Sequence, residues 1–314
     1  MVTRPDIADA SARIGPLIRR TPICMVSAQD LDCISLPHSH LTLKLELLQH
    51  TGSFKPRGAF NRMLDPTRPI RPGDYVVAAS GGNHGAAVAF AARARGVTAE
   101  IFVPATTPAA KRARIAAYGA RLTAIGATYA EALAASRERA ATTCAAEIHA
   151  YDDPAVIAGQ GTIGLELEQE APDLTHLLVA AGGGGLLAGI AAWYGGRIQV
   201  VGVEPEACPT LHASRAAGRP VPVATGGIAA DSLGARETGA VVFPLVAAHV
   251  TSLVLVPDMA IERARYLLWD RLRVLAEPGG TTALAALVCG AFVPPDGARV
   301  GVLVCGGNTA ALPE

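Results

Sequence analysis

The feature that most narrows the folds open to this chain is an alternation of short β-rich runs with alanine-rich segments of helical length. The runs fall at 75–79, 100–103, 121–125, 177–181, 199–203, 252–256 and 300–305. A strand that returns through a helix to the next strand builds a parallel sheet covered on both faces. A further run, in which Leu41, Leu43, Leu45 and Leu47 alternate with Thr42, Lys44 and Glu46, has the period of a strand with one buried face. The expected fold class is therefore α/β, and this many strands fit two open sheets with a cleft between them. No fixed-period repeat interrupts the pattern, and the Pro/Gly clusters at 66–73 and 217–227 read as connections.

Composition excludes several functions. At 314 residues the chain is long enough for two domains sharing a crevice or for one large α/β domain. Although 50% of residues are hydrophobic, apolar stretches such as 86–92 are far shorter than the roughly 20 residues of a membrane span. Lys+Arg and Asp+Glu are both 27, and no basic run is interleaved with aromatics, so nucleic acid is not an expected partner. The first twenty residues hold Arg4, Asp6, Asp9, Arg13, Arg19 and Arg20 without an apolar core, unlike a secretory signal, and a cytoplasmic location is expected. Cys24, Cys33, Cys144, Cys208, Cys289 and Cys305 form no CxxC pair and are expected to be reduced, buried small side chains.

In open α/β sheets, ligands sit at the carboxyl ends of strands, where loops lead into helix N-termini. Three glycine-rich loops occupy such places: Ser80, Gly81, Gly82, Asn83, His84 and Gly85 after 75–79; Gly182, Gly183, Gly184 and Gly185 after 177–181; and Gly306, Gly307 and Asn308 after 300–305. Each can offer backbone N–H groups to an anion. A P-loop requires GxxxxGK[ST], and no lysine follows any of them. A dinucleotide site is a weaker competitor: close-set glycines at 182–189 follow a strand, and Glu204 stands about 20 residues on.

The chain has three lysines. Lys44 reads as the polar face of a strand and Lys111, near Arg112 and Arg114, as part of a solvated helix. Lys55 differs, because Pro56 suits the first turn of a helix and disfavours helical geometry at Lys55 itself. Its amine is then expected to project from a loop-to-helix junction.

Lys44, Leu45, Glu46, Gln49, Thr51 to Lys55, Arg57, Gly58 and Ala59 closely resemble the cofactor-lysine segment of fold-type II pyridoxal 5′-phosphate (PLP) enzymes, specifically the serine/threonine dehydratase and serine racemase family. The likeness extends along nearly the whole chain. Ser80 to Gly85 resembles that family's substrate-carboxylate loop and Gly182 to Leu186 its tetraglycine phosphate loop. Glu277, Pro278, Gly279 and Gly280, and then Cys305, Gly306, Gly307 and Asn308, resemble its two C-terminal signatures.

The resemblance implies a tryptophan synthase β-like fold of two open α/β domains with the cofactor in the cleft. Residues 1–67 and 152–314 form the large PLP-binding domain and 68–151 a smaller one that closes on substrate. It implies that Lys55 carries PLP covalently and then acts as the base at Cα. Gly182, Gly183, Gly184, Gly185 and Leu186 hold the phosphate, Phe54 packs beside the ring, and Asn83 bonds the ring hydroxyl. Cys305, with Gly306 and Glu277 nearby, faces the pyridine nitrogen, while Ser80, Gly81, Asn83 and His84 form the pocket for the substrate carboxylate. His84 reads equally as a capping or core histidine. A thiol partner makes the cofactor a restrained electron sink, which suits β-elimination from an L-serine- or L-threonine-like substrate. The alternatives are 3-hydroxyaspartate or a bulkier β-hydroxy amino acid, serine racemisation, or a ligand sensor on the same scaffold. The family also suggests a homodimer.

Three departures stand out. Related racemases carry a second serine where this chain has Gly81, so racemisation is expected to be weak. The family's divalent-metal site keeps its Glu at Glu204, but Thr210 stands in place of the acid, so Glu204 reads either as a lone metal ligand or as a hydrogen-bonded residue at a strand end, and a dependence on metal is not implied. Asp231-Ser232 replaces the usual Asp-Gly. The chain ends soon after Asn308, so no C-terminal regulatory domain is expected.

Overall fold

A computed structural model describes residues 1–33 and 40–313. The strands are β1 (Ile23–Ser27), β2 (His40–Lys44), β3 (Tyr75–Ala79), β4 (Thr98–Val103), β5 (Arg121–Ala124), β6 (Ala146–Glu147), β7 (His176–Ala180), β8 (Gln199–Pro205), β9 (Ser252–Val256) and β10 (Val300–Leu303). They form two sheets, one ordered β1-β2-β10-β7-β8-β9 and the other β5-β4-β3-β6. Every pairing is parallel except β1 with β2, which is antiparallel at one edge of the larger sheet. Parallel strands need long crossovers, and the alanine-rich segments supply them as helices. Val and Leu of β2, β7, β8 and β10 fill one apolar core, and β3 and β4 build a second with the helix Asn83–Ala94. No helix of the described residues is long and apolar enough to cross a membrane.

The order of the larger sheet decides where chemistry can occur. β2, β10 and β7 are neighbours, so the segments leaving their carboxyl ends, which carry Lys55, Cys305 and Gly182, emerge side by side. Backbone bonds stitch the first two together: Phe54 N–H donates to the Cys305 carbonyl (3.2 Å) and Gly307 N–H to that of Gly52 (2.9 Å). β3, inside the smaller sheet, delivers Ser80 and the loop after it.

Two readings of the sequence are corrected. Lys44 is not on a solvated strand face but 0% exposed. Both faces of β2 are covered, and the ammonium lies between Glu166 (2.9 Å) and Glu170 (2.8 Å) while donating to the Thr21 carbonyl (2.7 Å). A charge so placed is tolerable because it is paired. Cys144 and Cys289 are exposed rather than buried; both stand at helix C-termini facing outward, while Cys33, Cys208 and Cys305 are buried.

Candidate active site

Lys55 begins the helix Lys55–Met63, with Pro56 in its first turn. The amine donates to the carbonyl of Ala150 (2.9 Å) and lies 5.1 Å from the centre of the Phe54 ring. Burial pulls its pKa down to about 8, and the Glu277 carboxylate nearby limits the fall. An ordinary lysine near 10.4 is almost wholly protonated at neutrality. Here a useful fraction is a free nucleophile.

The helix carrying Lys55 is fixed from below. Arg57, 0% exposed, grips Glu46 through Nε (2.8 Å) and Nη2 (2.7 Å), and Glu166 through Nη1 (2.7 Å) and Nη2 (2.9 Å). The helix Pro154–Glu170, which brings Glu166, approaches closely because residue 159 is glycine: a Cβ there would sit 2.5 Å from the Arg57 carbonyl.

Around the amine are the groups the sequence singled out. The Cys305 thiol is buried and donates to the Gly279 carbonyl (3.5 Å); burial, then the charge of Glu277, push its pKa up to about 12, so it stays protonated. Burial likewise raises Glu277 to about 7. Glu277 accepts from Asn83 Nδ2 (2.6 Å), and Asn83 Oδ1 accepts from Asn308 Nδ2 (2.5 Å), so both ends of the Asn83 amide are fixed. Asn83 keeps one further N–H for a ligand. A Cβ at Gly306 would lie 2.1 Å from Glu277 Oε1, so any larger residue there displaces the Glu277 carboxylate.

Two helix starts carry the first two glycine loops. Gly182, Gly184, Gly185 and Leu186 are buried, and Gly184 has φ +90°. No side chain caps the helix Gly185–Tyr194 that begins there. A buried helix end without a cap calls for a ligand, and anions suit it. Side chains at 182, 183 and 185 are ruled out by Leu233 and Tyr151, whose atoms lie 2.5–2.7 Å from the Cβ positions. The second start is that of the helix Asn83–Ala94, also without a side-chain cap, where Ser80 Oγ accepts from Gly82 N–H (3.2 Å).

The His84 ring points away from that start. Its Nε2 donates to the Ile148 carbonyl (2.8 Å), and burial drives its pKa down to about 3. The imidazole is therefore a neutral strut between β6 and the loop, and what His84 presents to an anion is its backbone N–H. Glu204 lies elsewhere, accepting N–H bonds from Leu211 (2.7 Å) and His212 (2.8 Å) at the start of the helix Thr210–Ala217. That use of its carboxylate leaves the dinucleotide reading without the acid it needs for a ribose.

Sequence reasoning missed the Ala150 carbonyl, Arg114 and the pairing of Lys111 with Asp231. A backbone acceptor leaves no side-chain signal. Arg114 follows Lys111 at the three-residue spacing of one helix face. Its guanidinium donates to the Thr51 carbonyl, and with Asn308 it separates the crevice from a cavity of about 570 Å³ near His50, Phe90 and Tyr118.

Known proteins resemble this chain along most of its length. Residues 14–306 match the family described as pyridoxal-phosphate dependent enzyme. The chain is 38% identical over 306 residues to an L-threonine ammonia-lyase of Geobacter sulfurreducens, covering 96% of this chain and 74% of that one. It is 35% identical over 323 residues to a phenylserine dehydratase of Ralstonia pickettii, covering 98% and 95%. The structure of maize serine racemase superposes with a TM-score of 0.90 at 33% identity, covering 98% and 94%.

Proposed function

This chain belongs to the pyridoxal-phosphate dependent enzyme family, and on that premise we propose that it removes the β-hydroxyl and amino groups of an L-serine- or L-threonine-like amino acid, releasing a 2-oxo acid and ammonia. The observation that carries the reading is the buried Lys55 amine, lowered to about 8, beside a thiol that stays protonated and among two uncapped helix starts.

The residues present fit PLP. A phosphate suits the buried start of Gly185–Tyr194, where glycines remove side-chain bulk, and an aldehyde suits the Lys55 amine. When bound, PLP supplies an electron sink for the negative charge that develops at Cα. Lys55 is the group placed to take the Cα proton. The N–H groups of Asn83 and His84 hold the substrate carboxylate, and the fixed Asn83 amide orients the ring hydroxyl. Cys305, a weak and neutral donor, leaves the pyridine nitrogen without the full charge a carboxylate partner promotes, which favours elimination over deeper carbanion chemistry. The enamine released after hydroxide departs hydrolyses in water to the oxo acid.

In the same reading residues 1–67 and 152–314 form the cofactor domain, 68–151 the closing domain, and two chains a dimer, which sedimentation checks. Ammonia release across L-serine, L-threonine, 3-hydroxyaspartate and phenylserine tests the substrate. No turnover of any of them despite bound PLP favours the sensor.

The lysine also fixes a pH dependence. Only the neutral amine condenses with the aldehyde, so PLP uptake by apoenzyme is expected to quicken about tenfold per pH unit below about 8 and to level off above it. Stopped-flow absorbance from pH 6 to 9 checks this.

Racemisation is the second reading, favoured by the maize neighbour and opposed by Gly81. A Cβ at 81 would lie 2.9 Å from Thr107 Cγ2, so Gly81→Ser alone is expected to crowd the loop. Gly81→Ser with Thr107→Ala is expected to raise D-serine formation from L-serine by up to about 10²-fold, the scale of one positioned acid–base group. Chiral chromatography checks it.

A further inference from the structure

The crevice beside Asn83 and Glu277 has a free volume of about 30 Å³. Ligand sites are typically some 300–1,000 Å³. This part of the crevice is too small for an amino acid, so passage of substrate between Asn83 and Asp231 requires its walls to part. Lys111 and Asp231 both line this crevice, and they meet across it at 2.6 Å. Lys111 rides on the helix Ala109–Ala117, which packs on the smaller-sheet unit through Ile115. Asp231 belongs to the turn Ala230–Leu233, whose Leu233 backbone abuts Gly182 of the larger-sheet unit. Opening the crevice must separate these groups.

We propose that the Lys111–Asp231 ion pair is the latch of the crevice, holding the two sheet units together over the substrate and giving way when substrate enters or product leaves. The proposal rests on the crevice being the substrate site. The two side chains are 38% and 58% exposed, which suits a latch: such pairs are weak and salt-sensitive, so they bias an equilibrium without locking it. Arg114, one turn further along the helix, is held by the Thr51 carbonyl and does not compete for Asp231.

The test uses holoenzyme and the accessibility of its bound cofactor to acrylamide, a neutral quencher unaffected by the altered charges. Asp231→Asn and Lys111→Gln are each expected to raise the quenching constant about two- to fivefold, the range open to an exposed pair. The exchanged pair, Lys111→Asp with Asp231→Lys, is expected to restore the wild-type value. Salt at 0.5 M is expected to raise quenching in wild type and in the exchanged pair but not in the single variants. Equal quenching in all four proteins, or failure of the exchange to restore it, overturns the latch and leaves the dehydratase reading standing. A wild-type protein that takes up no cofactor overturns both.

Discussion

Lys55→Ala is expected to lower turnover by more than about 10⁴-fold and to leave the protein without the visible absorption band of lysine-bound PLP. The size of the effect follows from two losses at one position. A positioned proton-transfer group alone contributes about 10²–10⁴-fold, and the covalent anchor is lost with it. Neither remaining lysine can substitute. Lys44 is enclosed by Glu166 and Glu170, and Lys111 is held by Asp231 at the mouth of the crevice. Because alanine removes only a side chain whose single hydrogen bond is to the Ala150 carbonyl, the variant should fold, which circular dichroism can verify. The decisive measurement is absorbance before and after borohydride: wild type bleaches, while the variant has no band to bleach. A variant that keeps both band and ammonia release places the cofactor elsewhere and overturns the proposed function.

What the sequence disclosed about this site, and what it withheld, divides along a physical line. Glycine, lysine and cysteine at strand ends are local signals, since the strand period and the loop that breaks it lie within ten or so residues. Thus β3, β7 and β10 and the loops leaving them were legible. β1 and β6 were not: β1 lies at the sheet edge with only Val26 buried, and β6 has two residues, so neither carries a period to read. Partnerships across the fold were also illegible. Nothing near Lys44 announces that residues 166 and 170 will enclose it, so its alternation with leucines reads as a solvated face. Likewise Lys111 reads as a surface residue until the fold sets Asp231 opposite. His84 illustrates an intermediate case, where the loop motif located the residue but only the Ile148 carbonyl shows the ring turned inward.

The same hidden partnerships predict where the fold is most vulnerable. Arg57→Ala is expected to destabilise the protein by about 3–5 kcal/mol, the cost of leaving buried carboxylates without their cation. Glu46 is 0% exposed and receives two bonds from Arg57, so it suffers most; Glu166 retains Lys44. Urea unfolding of wild type and variant measures the difference. The pH dependence separates lost charge pairing from lost packing. In wild type, burial pushes Glu166 up, but hydrogen bonds and charge from Arg57, with help from Lys44, hold it below the usual carboxylate range. Its stabilising contribution is therefore present above the ordinary carboxylate pKa and lost as pH falls through the lowered one. Without Arg57, the burial of Glu166 is opposed by Lys44 alone, and its folded-state pKa rises. Stability of the variant should then improve as pH falls, and its deficit against wild type should be smaller at pH 5 than at pH 8. A deficit of the same size at both values would assign the loss to the cavity left by the side chain, and Arg57→Met, which fills much of that space, would then recover it. If charge dominates, Arg57→Met recovers little, and the Lys55 helix owes its position to an ion cluster that the strand pattern alone did not disclose.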